Sequence, residues 1–207
     1  MTDSEWQSAS EPHALLEFLQ SSGRPSARKL RLFAVACSRR MWDWIDTPGR
    51  TAVDVAERFA DGLAGPEELR AARLACQGAG GRAAWFAAAT NPAIAARNAA
   101  RSAQAEAANN PLVGSEVDEL LAQAKLIREI FGNRYPPFAV DPSWLTTGVV
   151  KLAQAIYDQR AFDRMPELAD FLEEAGCANK VILGHCRGPG SHFRGCWLVD
   201  TLLSRDS

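Results

Sequence analysis

The sequence predicts an all-α protein: a multi-helix bundle followed by a C-terminal array of short helices. Three observations predict it. Apolar residues recur at three- and four-residue intervals along most of the chain. Capping residues, early prolines and terminal glycines punctuate those runs. No period-2 alternation is long enough to argue a sheet, apart from a short extended piece near Phe138 to Val140.

The elements follow in order. Ser10 caps a first helix with Pro12 in its first turn and Leu15, Leu16 and Leu19 inward. Gly23 to Ser26 ends it and starts a second. That helix places Leu30, Phe33, Cys37, Met41 and Trp44 on one face and stops at Thr47-Pro48-Gly49. A third carries Val53, Val55, Ala56 and Phe59 up to Asp61-Gly62. Gly65-Pro66 with Glu67 and Glu68 marks the next start, because acidic side chains suit a helix N-terminus. Alanine then dominates from Ala71 to Ala108, broken at Gly78 to Gly81 and at Asn91-Pro92. Alanine favours helix and lets neighbours approach closely.

Ser115 with Asp118 reads as a capping box opening a helix with Val117, Leu120, Leu121, Ala124, Ile127 and Ile130 inward. Gly132 closes it. Asn133 to Trp144, with Pro136, Pro137 and Pro142, divides an N-terminal bundle (1–135) from a C-terminal helical subdomain (136–207). Beyond it come a helix from Val149 to Asp158, one capped by Asp163 and ending at Gly176, and one capped by Asn179 through Cys186. Gly188-Pro189-Gly190 turns the chain into a last helix capped by Ser191.

At 207 residues the chain is long enough to bury a core without staples, and its net charge of −2 pulls toward neither nucleic acid nor an anionic membrane. No apolar window reaches membrane-spanning length, and the polar, acidic start is unlike a signal peptide. Five cysteines, an odd number without a secretion signal, read as reduced thiols or metal ligands in a cytoplasmic protein.

Chemistry concentrates near the C-terminus. Cys177, His185, Cys186, His192 and Cys196 lie within twenty residues, and zinc takes four nitrogen or sulfur donors in a tetrahedron. His192 and Cys196, four apart on the expected last helix, share a face. A closed structural site would use Cys177, one of His185 or Cys186, His192 and Cys196. The competing reading buries the cysteines as small hydrophobes. A sharper alternative pairs Cys186 or Cys196 with His185 or His192 as a nucleophile and base, oriented by Asp200.

Cationic side chains offer a different site. Arg28, Lys29, Arg31, Arg39 and Arg40 crowd the second helix, and Arg187 and Arg194 flank the Gly-Pro-Gly turn. They are candidates for an anion or for nucleic acid, with Trp42 or Trp44 available for stacking.

Several stretches belong together: Arg28-Lys29-Leu30-Arg31-Leu32-Phe33-Ala34, Ile130-Phe131-Gly132-Asn133, Ala155-Ile156-Tyr157-Asp158, Glu174-Ala175-Gly176-Cys177, and His185-Cys186-Arg187-Gly188-Pro189-Gly190 running into His192 and Arg194-Gly195-Cys196-Trp197. With them the chain resembles a large, uncharacterised paralogous family of planctomycete proteins over most of its length. The resemblance implies a cytosolic bacterial setting and carries no activity with it. The family pattern often has a second cysteine after the one matching Cys37; here that residue is Ser38, which weakens a metal role for the second helix.

The sequence thus points to a non-enzymatic helical module that binds a protein partner as scaffold, adaptor or regulator, with structural zinc as its candidate cofactor. The alternatives are a metal-dependent or thiol-based enzyme using the C-terminal cluster, and a nucleic-acid binder using the second helix.

Overall fold

A computed structural model describes residues 1–23, 25–78, 81–110, 112, 114–132 and 140–205. Among them every regular element is helical and none is a strand, so the chain is an all-α, multi-helix bundle protein. It divides into two compact units, Met1–Arg128 and Glu129–Ser207. The proline-rich junction and the extended piece expected near Phe138 fall largely in residues 133–139, outside the described residues.

The first unit holds α1 (Asp3–Ser8), α2 (Pro12–Ser21), α3 (Ala27–Arg40), α4 (Thr47–Ala60), α5 (Pro66–Ala75), α6 (Arg82–Ala87), α7 (Pro92–Asn109) and most of α8 (Glu116–Phe131). Alanine shapes its centre. Ala83, Ala84 and Ala87 of α6 and Ala95, Ala96, Ala99, Ala100 and Ala103 of α7 are all buried. α7 packs chiefly against α3 and α6, which short side chains permit.

Local differences from the sequence expectation have physical causes. The polar start forms α1, because Thr2 and Glu5 make a reciprocal capping box and Trp6 is fully buried. Glu11, not Ser10, occupies the cap position of α2. Thr47-Pro48-Gly49 is a start rather than a stop: the Asp46 carboxylate accepts from the Gly49 amide, and Pro48 sits in the first turn of α4. Trp44 falls in a 3₁₀ turn beyond α3.

On α8 the inward face differs as well. Val117 and Leu121 are exposed, while Glu119 and Gln123 are buried. Glu119 accepts from Arg40 Nε at 2.8 Å and from Gln123 Nε2 at 2.8 Å. Gln123 also donates to the Ala100 carbonyl and accepts from Gln104. A satisfied polar network therefore fills the positions that an apolar pattern would assign to valine and leucine.

The second unit comprises the last turn of α8 from Glu129, α9 (Thr147–Gln159), α10 (Met165–Glu174), α11 (Lys180–Arg187) and α12 (Trp197–Leu202). Val149, Leu152, Ile156, Met165, Leu168 and Leu172 form its core with residues of α11 and α12. Asn179 caps α11 through its side-chain oxygen, as the sequence predicts. Two other caps differ. A 3₁₀ turn at Phe162–Arg164 replaces an Asp163 cap, and α12 starts at Trp197 rather than near Ser191. His192 and Cys196 therefore do not share a helix. The reason is Gly195, whose φ of +95° no helix accommodates.

Candidate metal centre

Four side chains of the second unit converge: Glu129, His185, His192 and Cys196, with one ligand atom from each lying within 4.8 Å of the others. His185 Nε2 is 3.2 Å from Cys196 Sγ and 3.7 Å from Glu129 Oε2. His192 Nδ1 is 2.8 Å from Glu129 Oε1. In a tetrahedral zinc site, bond lengths of about 2.0–2.3 Å place neighbouring donors roughly 3.3–3.8 Å apart. The observed separations bracket that range.

Each donor is held by its own local structure. Glu129 lies in the last turn of α8, which ends at once at Gly132. That glycine has φ +71°, and a Cβ there would stand 3.0 Å from the Trp197 ring. Only glycine satisfies both demands, so the end of α8 seats directly on the start of α12. His185 projects from the last turns of α11, its ring 5.0 Å from that of Trp197 and 4.8 Å from that of His192.

His192 and Cys196 come from the irregular segment between α11 and α12. Arg194 pins this segment by donating to the Tyr157 and Asp158 carbonyls at 3.1 and 3.0 Å, with its guanidinium over the Tyr157 ring. Gly195 then reverses the backbone. The Cys196 amide donates to the Phe193 carbonyl, and Cys196 becomes the N-cap residue of α12.

The site is enclosed. Side-chain exposure is 16% for His185, 11% for Glu129 and 6% for His192, and Cys196 is fully buried. Burial above all, and then the Glu129 charge, hold the Cys196 thiol well above its ordinary value. Burial lowers His185, opposed by Glu129 and reinforced by His192. Burial thus favours the thiol form of Cys196 and the neutral imidazole of His185. His192 Nε2 is buried without a hydrogen-bond partner. A divalent cation changes this balance: thiolate and carboxylate carry two negative charges, two imidazoles carry none, and the sum matches a 2+ ion. The cluster can therefore hold a metal ion.

The placement of the expected ligands is selective. His185, His192 and Cys196 come together; Cys177 and Cys186 do not join them. Both lie in the apolar core of the unit. Cys186 follows His185 on a helix, where adjacent side chains diverge by about 100°. Its thiol is pushed up to about 12, mainly by burial. Glu129 was not among the expected donors, and nothing in its local sequence distinguishes it from the other glutamates of the chain.

The cationic candidates have structural partners. Arg31 is buried and donates to the carbonyls of Ala87, Ala89 and Thr90 at 2.9, 2.8 and 3.0 Å, closing the end of α6. Burial brings its pKa down to about 10, so it stays charged at neutral pH. Arg28 pairs with Asp61, Arg39 with Asp54 and Glu57, and Arg40 with Glu119. Arg187 pairs with Asp170 and Glu173, while Lys29 is half-buried on α3. Trp42 stacks against Arg39 and Arg50 rather than standing open for a base.

Comparisons with protein-family models, with curated proteins and with solved structures find no match to this chain. Among the described residues no helix is long and apolar enough to cross a membrane.

Proposed function

We propose that this protein is a non-enzymatic helical module, of scaffold, adaptor or regulatory type, whose second unit is closed by a structural zinc ion. The observation that carries the reading is the convergence of Glu129, His185, His192 and Cys196 in one enclosed, charge-matched cluster. Four protein donors complete a tetrahedron and leave no position for substrate, which is the mark of structural rather than catalytic zinc. The ion would tie the end of α8, the end of α11 and the start of α12. A binding role is supported by apolar side chains turned to solvent. Val117 and Leu121, one helical turn apart on α8, are 63% and 44% exposed. The planctomycete resemblance belongs to the same proposal as a bacterial, cytoplasmic setting.

The alternatives have weaker support. A nucleophilic Cys196 needs a depressed thiol pKa and access, and burial works against both. Nucleic-acid binding by α3 would require arginines that are engaged inside the unit.

Metal analysis of protein expressed in zinc-replete medium tests the reading. About one equivalent of zinc is expected, removable by a strong chelator and absent from Glu129→Gln and Cys196→Ser together. Less than about a tenth of an equivalent in the unaltered protein defeats it.

A further inference from the structure

The first unit carries a groove of about 550 Å³ between α6 and α7, lined by Arg82 and Phe86 on one side and by Asn98, Arg101, Ser102 and Glu106 on the other. The α7 residues recur at three- and four-residue spacing, so they form one stripe along the helix. The size is that of a small-molecule site, and the lining mixes polar and apolar surface.

The charges in this groove are unusual for the unit. Every other described arginine there is taken by an acid, a backbone carbonyl or an aromatic ring. Arg82, Arg97 and Arg101 have no such partner among the described residues. Two of them are also neighbours. Arg82 and Arg101 face the same groove, and Arg97 precedes Arg101 by four positions, where like charges on a helix repel. Glu11 lines a neighbouring pocket with Arg97 and Arg101, so the groove shared by Arg82 and Arg101 is where a bound anion would add most. Guanidinium groups bind phosphate and carboxylate through paired, charge-assisted hydrogen bonds.

Glu106 narrows the ligand class. It is the one acid of the lining and lies five residues beyond Arg101, about 7.5 Å along the helix axis. A carboxylate there accepts from a hydroxyl at the far end of the same molecule. The half-buried Phe86 ring supplies an apolar face for the carbon skeleton between. We infer that the groove binds a small hydroxylated oxyanion, of the size and chemistry of a sugar phosphate or a sugar acid, with Arg82 and Arg101 on the anionic group and Glu106 on a hydroxyl. The site lies wholly within the first unit and does not depend on the metal reading.

Calorimetric titration of the full chain, at ~0.15 M salt so that long-range attraction is screened, tests it with three probes. Glucose 6-phosphate represents the phosphate, gluconate the carboxylate, and glucose the uncharged skeleton. Saturable one-to-one binding of at least one charged probe is expected, and the tighter of the two identifies the anionic group. Glucose is expected to bind at least about tenfold more weakly, since it lacks the charge-assisted contacts. The double variant Arg82→Gln with Arg101→Gln is expected to lose about a hundredfold in affinity, tenfold for each guanidinium. Arg70→Gln, which removes an exposed arginine elsewhere in the unit, should leave binding unchanged. Any of three results overturns the inference: neither charged probe saturates, glucose binds as well as they do, or the double variant binds as tightly as the unaltered chain. A chelator should not alter the titration, so failure here and failure of the zinc reading are separable.

Discussion

Replacing Cys196 by serine is the most informative perturbation of this protein. Serine keeps the volume and replaces a thiolate donor with a hydroxyl, a far weaker zinc ligand. Metal that binds only the folded state adds RT ln(1 + [Zn]/Kd) to stability, about 4.1 kcal/mol at free zinc a thousandfold above Kd. A chain of 207 residues gains about 2–4 °C in Tm per kcal/mol, so zinc should raise Tm by roughly 8–16 °C. A hundredfold loss of affinity in Cys196→Ser leaves the same free zinc only tenfold above Kd. The increment then falls to about 1.4 kcal/mol, or roughly 3–6 °C.

The assay is a thermal melt of each variant with buffered zinc and with chelator. Each variant is compared with itself, so any cost of burying a hydroxyl cancels. Cys186→Ser is the internal control. Cys186 adjoins a ligand in sequence but lies in the apolar core, so that variant should lose stability yet keep its full zinc increment. The reasoning is refuted if zinc and chelator give the same Tm for the unaltered protein. It is equally refuted if Cys196→Ser keeps the whole increment, or if Cys186→Ser loses it.

Gly132→Ala forces a Cβ into left-handed backbone 3.0 Å from Trp197; denaturant melts should show a loss of about 1–3 kcal/mol, with weaker zinc retention because Glu129 shifts. Arg31→Met strands three carbonyls at the end of α6, and chemical denaturation should report a loss of about 3–5 kcal/mol, whereas an unchanged midpoint would show that these hydrogen bonds carry little net stability. Cys37 is fully buried and its thiol is raised well above the ordinary value, chiefly by burial; mass spectrometry after brief alkylation near neutral pH should find it unmodified in the folded chain and modified in denaturant.

The helical class was legible because it rests on short-range physics. Pro66 after Gly65 acts through its own fixed φ, and Asn179 before α11 through bonds to its own neighbours, so both read correctly in isolation. The inward face of α8 was less legible. Glu119 and Gln123 are buried only because Arg40 and Gln104 from distant positions satisfy them. A hydropathy pattern treats every acid or amide as exposed and does not contain that information.

The candidate site divides in the same way. Sequence by itself located the region, since His185, His192 and Cys196 lie in one short stretch rich in histidine and cysteine. Tertiary structure decided membership. Glu129 enters from 63 residues before His192, brought there by the seating of Gly132 on Trp197. Cys177, Cys186 and Cys196 all pack into one apolar core, but only Cys196 also reaches the other donors; helix phase turns Cys186 about 100° away from His185. The arginines of α3 looked like an anion surface for a related reason. Charge is written in the sequence, but its neutralisation by Asp61, Asp54, Glu119 or a helix end is long-range. Local capping and periodicity are encoded in neighbouring residues, whereas coordination and charge pairing exist only once the chain has folded.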